Sequence, residues 1–479
     1  MVRQIEAFIR NFSKEVKENN AAIFAGAGLS VGAGFVDWKR LLSPIIEELG
    51  LDVDKEDNLV SVAQYHCNEK LQNRNRLNQL LINEFSRDSE LTGNHKVLAR
   101  LPISTYWTTN YDKLIEKALE MAHKVPDVKY TKNQLATTRP KRDVIVYKMH
   151  GDVDHPDQAV LTKDDYESYH IKSAPFITAL SGDLVSKTFL FLGFSFTDPN
   201  IDYILSRIRA TYTNHQREHY CIMKGISKLE KESDADFEYR QRKQVLFIGD
   251  LKRFNITTLL VDVYEQITEI LKKIENIYKL KTVFISGSAH EYGAMSRDKA
   301  ENFIHELSKK LIGREYKIVS GFGLGVGGAV INGALEEIYS RGKKSTDDQL
   351  ILRPFPQNQT GIIPQKTLWD DYRKDMIPLA GTAIFLFGNK MQDGTVVPAN
   401  GMEREFGIAL ENGLRVVPVG ATGYVAEKLW KEVSANLAKY YPGYSKEFEE
   451  NFMEIGNPAL EPDALLESVV KLLDKIIRR

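Results

Sequence analysis

Cysteine is almost missing from this chain. Two residues in 479, Cys67 and Cys221, exclude a disulfide framework and any zinc site built from four cysteines. An excess of either charge is missing too. Lys and Arg number 64 and Asp and Glu 65, for a net charge of −1, so no bulk basic field favours nucleic acid or an anionic membrane. No apolar run reaches the roughly 18–20 residues that a spanning helix needs. The first residues lack the apolar core of a secretory signal; Ile5, Phe8, Ile9, Phe12 and Val16 keep helical spacing instead. The expectation is a cytoplasmic protein. What is present, 43% hydrophobic and 27% charged residues, is the composition of an ordinary globular chain long enough for two or three domains.

The most informative stretch is Ala22–Trp38, AIFAGAGLSVGAGFVDW. Its opening apolar run reads as a strand covered on both faces. Gly26 and Gly28 follow Ala25, and without Cβ atoms they let the backbone turn sharply and approach a ligand. Ser30 is expected near the start of the next helix, where free N–H groups favour a phosphate. Strand, G-x-G and helix start together suggest a dinucleotide site, although Val31 stands where the third glycine of G-x-G-x-x-G belongs. A tight strand-to-helix connection that binds nothing is the alternative.

Strand and helix patterns then alternate. Helices are expected at Trp38–Leu49, Leu59–Phe85, Asp112–His123, Phe176–Val185 and Asn200–Tyr212. Strands are expected at Ile103–Thr109, Val144–Met149, Phe189–Phe194, His219–Met223 and Ile256–Val261. The charged stretch Lys228–Lys243 reads as a solvated helix face. After a helix at Ile267–Leu280 a second series begins, with strands at Thr282–Ile285, Tyr316–Val319, Leu350–Leu352, Thr382–Phe387 and Val416–Val419. The fold class expected is α/β, two Rossmann-like domains with mostly parallel sheets, spanning 1–280 and 281–479.

In such sheets ligands collect beyond the carboxyl ends of the strands. Three polar clusters sit there in the first domain: Thr108-Thr109-Asn110-Tyr111-Asp112, His150-Gly151-Asp152, and Gly193 to Asn200 with Ser195 and Asp198. In this order G-A-G-x-S, T-x-N-x-D, H-G and G-x-S-x-x-D-x-N resemble the NAD-binding domain of sirtuins over most of residues 15–260. Two departures matter. The zinc-holding cysteine quartet of sirtuin deacetylases is absent, and the G-I-P-D-F-R element reads Gly34-Phe35-Val36-Asp37-Trp38. The resemblance implies NAD⁺ as substrate, no metal, catalysis by Asn110 and His150, and cofactor binding by Ala25, Gly26, Gly28, Ser30, Asp112 and Ser195.

The chemistry agrees. Loss of nicotinamide leaves an oxocarbenium-like ribose, so the site needs fixed dipoles, few waters and one base. Asn110 can hold the ribose or a water, or it can cap the following helix. His150 can take a proton from a ribose hydroxyl or an attacking water. Asp112 would orient nicotinamide or stabilise positive charge. Asp198 can cap a helix or touch ligand, and His150, Asp152 and His155 lack further ligands at a spacing suited to a metal.

In the second domain Gly323-Leu-Gly325-Val-Gly-Gly328 follows a strand and opens a helix, which strengthens a G-x-G-x-x-G motif. Gly287 and Ser288 close the preceding strand. Arg373 could grip a phosphate as a fork, Lys390 as a point charge, and Glu405 could accept from ribose hydroxyls; ordinary surface charges are the alternative. S-G-S, S-G-F-G-x-G and the late Glu-Phe pair resemble the SLOG family, relatives of LOG nucleotide hydrolases. The G-G-x-G-T core of the hydrolytic members is missing, which implies binding without hydrolysis. A zinc-free sirtuin-like domain followed by SLOG resembles the Thoeris antiphage effectors. That resemblance implies an NAD⁺ glycohydrolase, a homo-oligomer of four chains or more. Its activator would be a cyclic ADP-ribose isomer from a TIR-domain partner, bound by Gly287, Ser288, Gly323, Gly325, Arg373, Lys390 and Glu405. A protein deacylase, a non-catalytic NAD-binding sensor and a phosphoribohydrolase in the second domain are the competing readings. Acyl-ADP-ribose release, binding without product, and free base from a nucleoside monophosphate would mark them.

Overall fold

A computed structural model describes residues 2–212, 216–342, 346, 349–356 and 361–477. The chain divides into two compact units, Met1–Glu275 and Asn276–Arg479, each with its own parallel sheet.

The first unit holds β1 (Ala21–Ala25), β2 (Thr105–Thr108), β3 (Pro126–Lys129), β4 (Val144–Lys148), β5 (Thr188–Leu192), β6 (His219–Lys224) and β7 (Ile256–Val261). They form one seven-stranded sheet in the order β3-β4-β2-β1-β5-β6-β7, parallel throughout. Ile23 of β1 pairs with Tyr106 on one side and Leu190 on the other. β1 and β5 are buried along their whole length, as strands covered by helices on both faces must be. From β1 the chain builds one half of the sheet and then crosses to β5, so the order reverses at β1. A crevice therefore opens beyond the ends of β1, β2, β4 and β5.

A smaller apolar layer lies apart from the sheet core. The helices Trp38–Glu48, Leu59–Glu69 and Asn75–Phe85 bring Leu42, Ile45, Val62 and Leu81 together with Tyr111 and Leu161. One helix was expected over Leu59–Phe85. The chain instead breaks after Glu69, with Leu71 and Gln72 at positive φ. The break lets the apolar faces of both pieces meet in one cluster, and the Asn73 side chain accepts from the N–H of Asn75 to start the second piece. β3 and the helices Gly93–Arg100 and Lys163–Lys172 were not expected. β3 is a short edge strand, and its polar Asp127 and Lys129 are buried as an ion pair at 2.7 Å. Of the charged stretch Lys228–Lys243, residues from Asp234 onward lie on the helix Asp234–Leu251, which buries only Leu251.

The second unit holds β8 (Thr282–Ser288), β9 (Lys317–Ser320), β10 (Leu350–Leu352), β11 (Thr382–Phe387), β12 (Asn389–Gln392), β13 (Thr395–Pro398) and β14 (Arg415–Pro418). The parallel sheet runs β10-β9-β8-β11-β14, and β12 with β13 makes an unexpected antiparallel ribbon. Phe284, Phe303, Ile318, Val330, Phe385 and Val417 lie in its core. The order reverses at β8, which places a second crevice beyond β8, β9 and β11. Both units are thus α/β with parallel sheets. Among the described residues no helix is long and apolar enough to cross a membrane.

Candidate functional site

The crevice of the first unit starts from a contact between two backbones. After β1 the chain enters a one-turn helix, Ala27–Val31, and after β5 it turns at Gly193, whose φ is +63°. The N–H of Gly28 donates to the Gly193 carbonyl at 2.9 Å. A Cβ on Gly26 would lie 2.5 Å from that carbonyl oxygen, and one on Gly193 would lie 2.1 Å from the N of Leu29. These glycines permit a close crossing of chain against chain; Gly26 itself is extended, with φ −108°. The helix begins at Ala27, and Ser30 lies within its single turn.

Asn110 sits at the end of β2 and is 7% exposed. Its Nδ2 donates to the Gly26 carbonyl (3.1 Å) and to Ser30 Oγ (3.0 Å). The carbonyl can only accept, so the amide nitrogen must face it, and Oδ1 is left buried with no partner. Ser30 Oγ donates in turn to Asp112 Oδ2 at 2.7 Å, and Asp112 Oδ1 accepts from the N–H of Leu114. Asp112, not Asn110, therefore holds the first turn of the helix Leu114–Met121. A chain of hydrogen bonds running from Asn110 through Ser30 to Asp112 fixes the amide.

His150 follows β4 and is equally enclosed. Its Nε2 stands 3.0 Å from Asp198 Oδ2, close enough for an ion pair but outside hydrogen-bond alignment. Tyr166 meets the ring edge-on at 5.5 Å. Burial pushes the Asp198 carboxyl up, but His150 and the N–H groups of Ile201 and Asn200 outweigh it and hold the carboxyl below its usual range.

Beneath both loops lies Lys148, the last residue of β4, with no exposed side-chain surface. Its ammonium donates to the carbonyls of Tyr111 (3.1 Å) and Asp112 (2.6 Å), to Glu116 (3.0 Å) and to Asp152 (2.5 Å). Burial alone would lower its pKa; Glu116 and Asp152 reverse this and hold the ammonium above its usual value. One cation thus ties the residues after Asn110 to the residues after His150.

These side chains wall a cavity of about 940 Å³, large enough for a dinucleotide. Gly28, Ser30, Asn110, Asp112, His150 and Ser195 line it, together with Asp198 and an apolar wall of Val36, Trp38, Leu41, Leu59 and Phe85. Ala25 and Gly26 lie behind the wall, where the Ala25 carbonyl accepts from Thr108 Oγ1 and that of Gly26 from Asn110. Ser195 is exposed, with its hydroxyl 2.7 Å from that of Thr197.

The second unit has a cavity of about 1410 Å³ beyond β8 and β9, and Gly287, Ser288, Gly323, Gly325, Arg373, Lys390 and Glu405 all line it. A Cβ on Gly323 would fall 1.8 Å from the Gly287 carbonyl oxygen, so the two glycine loops also cross in close contact. Arg373 Nε donates to Glu405 Oε1 at 3.0 Å, Ser286 Oγ donates to Glu405 Oε2 at 2.6 Å, and the guanidinium lies 4.9 Å from the Phe355 ring centre. Lys390 reaches Asn400 at 3.1 Å.

Two family models match the chain in the same order. A SIR2-like domain covers residues 104–248, and the Sir2- and TIR-associating SLOG family covers 266–476. The chain is 58% identical over 470 residues to the NAD(+) hydrolase ThsA of Bacillus cereus (strain MSX-D12), 98% of each protein. It is 50% identical to the protein of that name in Acinetobacter baumannii (strain 532279), over 97% of this chain and 96% of that one. The chain belongs to the ThsA family. Similarity to defense-associated sirtuin 2 of Bacillus subtilis is narrower, 26% over 239 residues, 48% of this chain and 23% of that protein.

Within this ThsA-family chain, Lys148, Glu116 and Tyr166 escaped the motif reading. Lys148 had a signal. It falls in register with Val144 and Val146 on the buried side of β4, where a lysine must find partners. Tyr166 carries none, because a helix far from the motifs in sequence brings it to the cavity.

Proposed function

We propose that the first-unit cavity hydrolyses NAD⁺ to nicotinamide and ADP-ribose. The observation that carries this is the pairing of Asn110, whose buried Oδ1 lacks a partner, with His150 in one cavity of dinucleotide size. The Asn110 oxygen can accept from a ribose hydroxyl or the attacking water, and His150 can take the proton released. The activity for which the relatives are named supports the same substrate. The second cavity, with Arg373 for phosphate and Glu405 for ribose hydroxyls, would take a cyclic ADP-ribose isomer made by a TIR-domain partner. Its binding would switch hydrolysis on, in an assembly of four or more chains, and deplete NAD⁺ in the infected cell as an abortive antiphage response.

The test is chromatography of nicotinamide released from NAD⁺ by the full chain, with and without cyclic ADP-ribose isomers. Asn110→Ala and His150→Ala should each lower turnover by at least about 10³-fold with an unchanged circular dichroism spectrum. Near-normal turnover in either removes the site assignment. Arg373→Ala should raise the activator concentration needed for half-maximal rate by about tenfold or more; an unchanged response removes the sensor reading.

A further inference from the structure

We infer that Asp198 is the positioning residue of His150: its carboxylate beside Nε2 favours the tautomer protonated at that nitrogen, so that Nδ1 is the proton-accepting atom. The inference rests on the hydrolysis proposed above.

Asp198 lies between β5 and the helix Pro199–Tyr212, and a cap accounts for only half of it. Oδ1 accepts from the N–H groups of Asn200 (2.9 Å) and Ile201 (3.2 Å), which is what a helix start requires. Those two bonds also lock the plane of the carboxylate. Oδ2 is surplus to the cap, and it stands 3.0 Å from His150 Nε2 with both side chains under 10% exposed. The Tyr166 hydroxyl donates to the same oxygen at 3.5 Å. Behind the ring, Tyr169 donates to the Met149 carbonyl at 3.0 Å and holds the chain next to His150.

An ionised carboxylate only accepts, and at 3.0 Å its charge repels a lone pair on the nitrogen it faces, so the proton is favoured on Nε2. That leaves the lone pair of the neutral ring at Nδ1. In the reaction the bond from ribose C1′ to the nicotinamide nitrogen breaks and its electron pair neutralises the pyridinium. A water oxygen bonds to C1′, its proton passes to Nδ1, and the imidazolium so formed lies beside the Asp198 charge until it returns the proton to solvent. A carboxylate that fixes the tautomer and stabilises the imidazolium is the arrangement known from serine-protease triads.

Asp198→Asn separates the two roles, because asparagine caps a helix as well as aspartate does but offers His150 an amide. In the full chain, nicotinamide release and thermal melting are measured for wild type, Asp198→Asn and Asp198→Ala. The expected result for Asp198→Asn is a kcat lower by about 10³-fold, KM within about threefold, and a melting temperature within about 2 °C. Asp198→Ala should lose the same kcat and also melt lower. If Asp198→Asn keeps kcat within about fivefold, Asp198 is a cap and nothing more; if KM rises with kcat unchanged, it binds substrate. Either result overturns the inference while leaving the hydrolase intact, whereas a wild type that releases no nicotinamide under any condition removes both. Histidine ¹⁵N shifts of the wild-type chain read the tautomer without any variant: Nε2–H on His150 is expected, and Nδ1–H overturns the assignment.

Discussion

Lys148 ties together the loops that carry Asn110 and His150. It has no exposed side-chain surface, and its three N–H groups are shared among four oxygens, so its removal strands two buried carboxylates. Breaking a buried ion pair from one side costs more than the pair contributes, because the remaining charge keeps its desolvation penalty. Lys148→Met should therefore lower stability by about 3–5 kcal/mol in urea titration. Adding Glu116→Gln should recover part of that loss, since burial already pushes the Glu116 carboxyl up toward its neutral form. A single variant as stable as wild type would mean that water reaches the cluster. Motif reading reached Asn110, His150 and Asp112 because they follow strands in polar clusters. It missed Lys148 because a lysine inside an apolar strand declares its partners only when the loops above it are folded.

Crossing loops set the site at the scale of elements. The ends of β1 and β5 pass so closely that Gly193 has no room for a side chain, and its left-handed φ would strain any other residue. Gly193→Ala should push the two loops apart, lower stability by about 2–4 kcal/mol and abolish nicotinamide release. Retention of wild-type melting and turnover would show that the crossing can relax. The G-x-G element was legible as a signal for close approach; the structure adds another strand's loop as its neighbour, while Gly28 also lines the cavity. The single helix expected over Leu59–Phe85 failed. Helical periodicity continues through residues 70–74, yet only a break lets both segments face the same cluster.

For the whole molecule the pH dependence follows from buried imidazoles. Burial pushes His219 down to about 4, helped by the Arg217 charge, and its Nδ1 accepts the N–H of Phe189. Burial likewise pushes His95 to about 4, against the pull of Asp112. Both folded values lie below the roughly 6.5 of an unfolded chain. Between about pH 6.5 and 4 the unfolded state therefore binds protons that the folded state refuses, and stability falls as pH drops. The Asp198 carboxyl, depressed below its unfolded value, loses its contribution lower still, as pH falls through its folded value. Urea midpoints should be level from pH 8 to 7 and decline from about 6.5 downward. His219→Gln, which keeps an acceptor for Phe189, should make that decline shallower. A midpoint independent of pH across the window would mean that these rings are hydrated.

The sequence alone determined the alternation of strand and helix, the two α/β sheets and the polar clusters at strand ends. Those are local facts, written in apolar runs, periodicities and glycine spacing that act over a few residues. Tertiary structure decided which clusters share a cavity and which hydrogen bonds each side chain has left to give. Asn110 caps nothing: Gly26 and Ser30, some 80 residues earlier, hold its amide nitrogen, and its oxygen, the atom a cap uses, has no partner. Asp198 caps a helix and faces His150 at once because β4 and β5, apart in sequence, end at the same crevice. Spacing can place a residue at a strand end; only the sheet order and the packing of distant loops set what it touches.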